Sequence, residues 1–285
     1  MDTTYLVERE SCPWCGGRRG RVEYKIDNET NAMRCESCNL LFSSRILNSS
    51  GLKKYWSKYE TEVHISDKTL SEKRKLQYEL DYNFIAPFMK PNSRVLDVGC
   101  SNGDFLELFH KAGHTCEGIE FGEEAFEIAS KKFKVYFGQL SEIEIPVKFD
   151  LVIFRGTIQY LLNPKQDFLK AIHLLNGGGF IYITGSPNSQ ALCQKLFKNN
   201  FTLPVSPTDY NMYDETILNN YFTGYGMKLY AKTQMYLGTP YEDYENDILK
   251  VADAINRKKS GQAFNGGGVC PAFFDNMLTL VYQKI

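Results

Sequence analysis

Residues 94–106 read RVLDVGCSNGDFL. An apolar strand runs into a loop carrying Gly99 and Gly103, and a helix follows from about Asp104. Glycines let the backbone approach a ligand closely, and the positive end of the following helix is aimed at the loop. Asp97, just before the glycines, can accept hydrogen bonds from a ligand or from loop amides. The glycine spacing departs from GxGxxG, which argues against a nicotinamide dinucleotide. The next strand, Thr115–Ile119, ends in Glu120. Its distance from Asp97 is about that at which an acidic side chain takes the ribose hydroxyls in nucleotide-binding α/β folds.

Outward from this stretch the chain alternates strands and helices. VLDVGCSNGDFL (95–106) looks like the glycine-rich first motif of class I S-adenosylmethionine (SAM) dependent methyltransferases, and GIEFGEEAFEIA (118–129) like their second strand with its acidic end. Gly138-Gln139-Leu140 falls where the family's third strand ends at adenine, and FDLVIFRGTIQYLLNP (149–164) resembles the fourth-strand motif. GGGFIYITGSPN (177–188) and FDNMLTLVYQK (274–284) resemble the fifth strand and the last, antiparallel strand. The resemblance implies an α/β fold with a seven-stranded Rossmann-like sheet in the order 3-2-1-4-5-7-6. It implies SAM as cofactor, with Gly99, Cys100 and Gly103 near the methionine part, Glu120 at the ribose, and Asp97 and Phe121 also among the cofactor-binding residues. Gln139 and Leu140 would meet adenine, and backbone groups of Phe154 and Arg155 the methionine amine. Read alone, Cys100 is a packing residue, Arg155 an ion-pair partner and Gln139 a loop residue.

The eight cysteines fall at 12, 15, 35, 38, 100, 116, 193 and 270. Cys12-Pro-Trp-Cys15 and Cys35-Glu-Ser-Cys38 make two CxxC knuckles separated by 19 residues. Each presents two thiolates from one turn, and together they complete a closed tetrahedral site. A structural Zn2+ is expected, iron being the other metal for four thiolates. Val22–Ile26 and Ala32–Arg34 read as the strands of a small zinc ribbon. So short a segment needs the metal to fold. Arg18, Arg19 and Arg21 read as a solvated loop, with phosphate contact as the alternative. A CxxC…CxxC module followed by a methyltransferase domain resembles a bacterial group associated with carbohydrate and secondary-metabolite methylation, including that of nucleotide-linked sugars.

The expected organisation is a zinc ribbon over 1–48, a linker over 49–67 and a methyltransferase domain over 68–285. Residues 68–90 read as a helix with Leu70, Leu76, Leu80, Phe84, Ile85 and Phe88 at helical spacing. A lid-like insertion is expected near 238–273, with a charged helix over Tyr241–Lys259 and a Gly266-Gly-Gly loop.

Many relatives carry a Glu-His pair after the fourth strand; here Gln159 and Tyr160 stand there, and neither is a base near neutral pH. The base candidates are therefore Asp209, Tyr210, Tyr213 and His64, a purely positional mechanism being the alternative. His110, His114 and His173 read as packing or solvated residues beside the sheet. With 43% hydrophobic residues and a net charge of -1, the composition fits a sizeable core and disfavours nucleic acid as partner. The N-terminus lacks a secretory pattern and no apolar run can span a bilayer, so a cytoplasmic monomer or homodimer without membrane contact is expected. The leading function is methyl transfer from SAM to a small polar acceptor, such as a nucleotide-linked sugar or a polysaccharide or secondary-metabolite precursor. The alternatives are an rRNA or tRNA methyltransferase and a non-catalytic SAM-binding scaffold.

Overall fold

Short stretches of alternating residues separated by tight turns open the chain and form β1 (Leu6–Glu8), β2 (Arg21–Lys25), β3 (Asn31–Arg34), β4 (Leu41–Ser43) and β5 (Arg45–Leu47). Two helices follow, α1 (Ser49–Trp56), capped by the Asn48 side chain accepting from Gly51 N, and α2 (Lys68–Ile85). Then strands and helices alternate: β6 (Arg94–Val98), α3 (Asp104–Lys111), β7 (Thr115–Glu120), α4 (Glu123–Ala129), β8 (Lys134–Phe137), β9 (Phe149–Arg155), α5 (Pro164–Leu174), β10 (Leu175–Pro187) and α6 (Leu192–Phe197). The last elements are β11 (Asn211–Met212), α7 (Glu215–Gly224), β12 (Met227–Lys232), α8 (Tyr244–Lys259) and β13 (Met277–Lys284). The computed structural model describes residues 3–18, 20–57, 68–262 and 270–285.

The main sheet has seven strands in the order β8-β7-β6-β9-β10-β13-β12. Strands β6 to β10 run parallel, and β13 is antiparallel to both β10 and β12. This is the 3-2-1-4-5-7-6 order the sequence leads one to expect. Central strands carry unbroken apolar runs because helices cover both faces: Leu151, Val152, Ile153 and Phe154 of β9 are all fully buried.

The N-terminal segment is not a separate body. Its sheet runs β11-β4-β3-β2, so a strand from residues 211–212 completes it. Cys12, Trp14, Met33, Cys35, Leu40 and Phe42 belong to the same apolar cluster as Phe154, Phe168 and Tyr213 of the main domain. Trp14, set between the cysteines of the first knuckle, packs against Tyr221 (5.1 Å between ring centres), Tyr213 (5.4 Å) and Phe168 (6.2 Å). The N-terminal segment and the main sheet domain thus share one core.

Two further expectations change. Helix α2 stops at Ile85, and a 3-10 turn over Ala86–Phe88 follows. Leu76 points to solvent, while the buried residues of α2 are Asp81 and Ile85. Its inward side carries Asp81, Ile85 and the rings of Tyr78, Tyr82 and Phe84 rather than Leu76. Helix α8 begins at Tyr244 and docks on α6 through Val251 and Ala254, in a cluster with Cys193, Phe197 and Cys270. Its buried Asp247 accepts from Tyr236 Oη (2.7 Å) and Asp243 N (3.1 Å). The Gly266-Gly-Gly loop lies outside the described residues, as do Arg19 and His64.

Truncating a fully packed tryptophan costs about 3–5 kcal/mol. Trp14→Ala is therefore expected to destabilise the whole protein by that amount in denaturant titration, as one transition. Two transitions, with the main domain unchanged, would show that the N-terminal segment folds independently.

Candidate functional site

The carboxyl ends of β6, β7, β8 and β9 open onto a cavity of about 350 Å3. It sits at the switch point of the sheet, where open α/β folds bind ligands. Asp97, Gly99, Cys100, Ser101, Glu120, Phe121, Gln139, Leu140 and Arg155 all line it. Gly103 and Phe154 do not. Gly103 caps the N-terminus of α3, and the Phe154 ring is fully buried on the far face, edge-on to Phe168 at 5.2 Å.

The glycine loop is fixed from both sides. Gly99 N and Cys100 N both donate to Ile119 O, at 2.8 and 3.0 Å. Gly99 has φ +80°, and a Cβ there would lie 2.7 Å from Thr157 Oγ1, so only glycine fits. The Cys100 side chain packs on Gly118, where an added Cβ would come within 2.5 Å of its sulfur; this is the packing role. Glu120 clamps the loop from the second strand: its carboxylate accepts from Ser101 N (2.8 Å), Phe121 N (2.7 Å) and Gly122 N (2.7 Å).

Deeper in lies an ion pair whose acidic member, Asp81, the sequence does not single out. Arg155 Nε donates to Asp81 Oδ2 at 2.8 Å, and the guanidinium lies 4.1 Å from the Tyr78 ring centre. Asp81 is held in turn by Gln77 Nε2 (3.0 Å) and Thr184 Oγ1 (3.4 Å). Burial works against the charge of Arg155, but Asp81 and Tyr78 outweigh it and hold its pKa above the ordinary value. Arg155 is thus an ion-pair partner that also lines the cavity, beside Arg74 and Tyr78 of α2. Asp97 is fully buried and its Oδ1 has no hydrogen-bond partner. Burial pushes its carboxyl up to about 7; Arg155 pulls it down and Glu120 pushes it further up.

Of the other wall, the sequence singles out Tyr160 and Tyr210 but not the helix that faces them. Leu52 and Trp56 of α1, from the stretch read as linker, line the cavity with Tyr160, Leu161, Leu162, Leu203 and Tyr210. The Trp56 and Tyr160 rings stand edge to face at 4.9 Å. Of the base candidates, Tyr210 lines the cavity, and Asp209 lies behind Tyr160. Tyr213 is removed to the core, its phenol pushed up by burial between Trp14 and Phe168. His114 is buried with Nδ1 accepting from Ser93 N (3.2 Å), and His110 packs on Phe133 (5.7 Å), as packing residues do. No described residue of 238–273 lines the cavity, so the lid expectation gains nothing from it.

At the N-terminus the sulfurs of Cys12, Cys15, Cys35 and Cys38 all lie within 4.8 Å of one another. Cys12–Cys38 and Cys15–Cys35 are 3.6 and 3.5 Å apart. Four thiolates about 2.3 Å from a tetrahedral zinc would stand roughly 3.8 Å apart, so the donor set fits such an ion.

A doubly wound seven-stranded sheet with a crevice at its switch point is the architecture of open α/β folds that bind ligands there. The methyltransferase domain family matches residues 70–232, and the chain belongs to that family. It is 31% identical over 111 residues to carboxy-S-adenosyl-L-methionine synthase of Trichodesmium erythraeum, covering 34% of this chain and 44% of that one. It is 24% identical over 100 residues to a ubiquinone biosynthesis O-methyltransferase of Pseudomonas fluorescens, covering 32% and 43%. The chain spans about half the length of the curated relatives it matches. Among solved structures it resembles the magnesium protoporphyrin IX methyltransferase of Synechocystis with bound S-adenosylhomocysteine, with TM-score 0.56 and 11% identity, covering 84% of this chain and 100% of that one. Among the described residues, no helix is long and apolar enough to cross a membrane.

The Asp97 carboxyl makes stability depend on pH. Below about pH 4 both folded and unfolded chains hold the proton. Between there and about pH 7 only the folded chain holds it, so stability falls as pH rises through this window and is lowest above it. Asp97→Asn lacks this dependence. Its melting temperature should therefore gain on wild type from pH 4 to pH 7.5, the difference corresponding to as much as about 4 kcal/mol. A gap that does not change with pH would contradict a raised Asp97.

Proposed function

We propose that the protein transfers a methyl group from SAM to a small-molecule acceptor. The observation that carries this is the acceptor-lined crevice at the ends of β6 and β7, in a chain of the methyltransferase domain family. Asp97 offers a buried carboxyl oxygen without a partner, and Glu120 a carboxylate fixed by three loop amides. Gln139 adds an amide at the end of β8. These groups match the donors of an amino acid ammonium, a ribose diol and an adenine. The cofactor supplies an electrophilic methyl on a sulfonium, which leaves as a neutral thioether. The residues of the chain have three tasks: they hold the donor, exclude water through Trp56 and Leu140, and orient the incoming nucleophile. The finer reading, an acceptor such as a nucleotide-linked sugar or another polysaccharide or secondary-metabolite precursor, rests on the resemblance of the module arrangement.

We propose further that the four cysteines hold a structural zinc. A closed thiolate set leaves no coordination position for substrate. Its role is to fix the Trp14 knuckle on the core.

Calorimetry should show micromolar binding of SAM and S-adenosylhomocysteine. Glu120→Ala should weaken it by about 1–3 kcal/mol, roughly 5- to 150-fold, the scale of hydrogen bonds to a charged group. Folded, metal-replete protein that binds neither compound would refute the methyltransferase reading. Elemental analysis should find one zinc per chain. Cys38→Ser should lose it and melt at lower temperature; wild type that is stable without any metal would refute the structural zinc.

A further inference from the structure

Five of the fourteen large apolar side chains exposed among the described residues fall within one short stretch: Leu237, Tyr241, Tyr244, Ile248 and Leu249. Such a concentration marks a binding face rather than scatter. Helix α8 carries three of them. Its inward side is already occupied, since Asp247, Val251 and Ala254 are buried, the last two in the cluster with Cys193 and Phe197 of α6. The exposed residues belong to a second face of the same helix. Glu245, Ile248, Ala252, Ile255 and Lys259 follow one another there at intervals of three, four, three and four residues. That spacing keeps side chains on one line along a helix. Ile248 is 38% exposed, Ala252 is exposed, and Ile255 is half-buried beside the α6 cluster.

The charges select the partner. Elsewhere on α8 opposite charges satisfy each other within the chain: Arg257 Nε lies 2.7 Å from Asp253, and Lys250 Nζ 3.9 Å from Asp247. Glu245 and Lys259 are exposed and have no ion-pair partner among the described residues. Acid at the start of a helix and base at its end suit the dipole, but the dipole does not require both to stand on the apolar line. Along the helix that line reads acid, Ile, Ala, Ile, base. Turned end for end, it reads base, Ile, Ala, Ile, acid. It is complementary to its own antiparallel copy, as a two-fold interface demands. An antiparallel pair centred on Ala252 sets Glu245 level with the partner's Lys259 and Ile248 beside the partner's Ile255. The small Ala252 then stands at the crossing, where helix axes approach to about 8–10 Å.

We propose that this face of α8 binds a second copy of the chain, forming a symmetric dimer through an antiparallel pair of α8 helices. Apolar burial of Tyr244, Ile248 and Ile255 drives the association, and the Glu245–Lys259 pairs at both ends fix its direction. A single helix pair falls short of the roughly 1,200 Å2 of a standard stable interface, so the dimer forms at micromolar concentrations. It is independent of the reaction the crevice carries out.

The test is sedimentation equilibrium of the full-length, metal-replete protein at low salt, from about 1 to 100 μM, the range of weak association. The mass should rise from one chain to two across this range. Glu245→Lys and Lys259→Glu should each weaken the dimer about tenfold, because like charges then meet at both ends of the pair. Mixed in equal amounts, the two variants should associate again, since one carries lysine and the other glutamate at both positions. Ile248→Glu should weaken the dimer tenfold or more. All three positions are exposed, so an unchanged melting temperature serves as the folding check; should Ile248→Glu fail it, the mixing experiment decides. Wild type that stays a single chain up to the highest concentration would overturn the proposal and leave the face to some other occupant. A dimer that the charge variants leave unchanged, or variants that do not associate on mixing, would overturn it as well.

Discussion

The antiparallel pairing of β11 with β4, Asn211 against Phe42 and Met212 against Leu41, is the joint on which the crevice depends. It extends through Ser43 N to Tyr210 O (2.9 Å) and Leu47 N to Pro207 O (3.2 Å). Arg9 reinforces it by donating to Tyr210 O (3.2 Å) and Asn211 Oδ1 (2.9 Å). These bonds hold the 206–213 loop, and with it Asp209 and Tyr210, against the cysteine module. The same module ends in β5, from which α1 carries Leu52 and Trp56 over the cavity. The N-terminal segment therefore contributes Leu52 and Trp56 to the crevice lining and braces the loop that carries Tyr210.

The opposite wall is governed by buried charge. An isolated ion in the interior costs several kcal/mol even after relaxation, so it is paired or neutralised. Arg155 and Asp81 take the first route, with Tyr78 stacked on the guanidinium. Asp97 takes the second, its carboxyl raised towards neutrality. Glu120 is fixed by three backbone amides that converge on its side-chain oxygens. One crevice thus holds a neutralisable acid, a fixed acceptor and a compensated cation within a few residues of the glycine loop.

Local patterns made most of the fold legible in the sequence. The strand–glycine loop–helix at 94–106 and the ordered later motifs give the sheet order, and the two CxxC knuckles give the thiolate cluster. Gly99 and Glu120 stand where such patterns place them, because close backbone approach and amide clamping are local requirements. What was not legible is tertiary. Asp81 lies in a charged stretch that reads as a solvated helix face, and only its partner 74 residues away explains its burial. The leucine spacing of α2 predicts Leu76 inside, but Leu76 faces solvent while Tyr78, Asp81 and Tyr82 face the core. Trp56 and Leu52 sit in a polar stretch without periodicity, and their role depends on where β5 leaves them. Tyr213 and Asp209 are four residues apart and look equivalent as base candidates. Pairing of β11 with β4 sends one into the core and leaves the other beside Tyr160.

The central claim is that the crevice at the ends of β6 to β9, with Leu52 and Trp56 of α1 over it, holds a SAM-type ligand. A crystal structure with S-adenosylhomocysteine, recorded at the zinc absorption edge, tests it most directly. The account predicts the ribose on Glu120, adenine beside Gln139, the thioether facing Trp56 and Tyr160, and a single anomalous peak among the four thiolates. Ligand density outside this crevice, or an aromatic wall turned away from the sulfur, would contradict it.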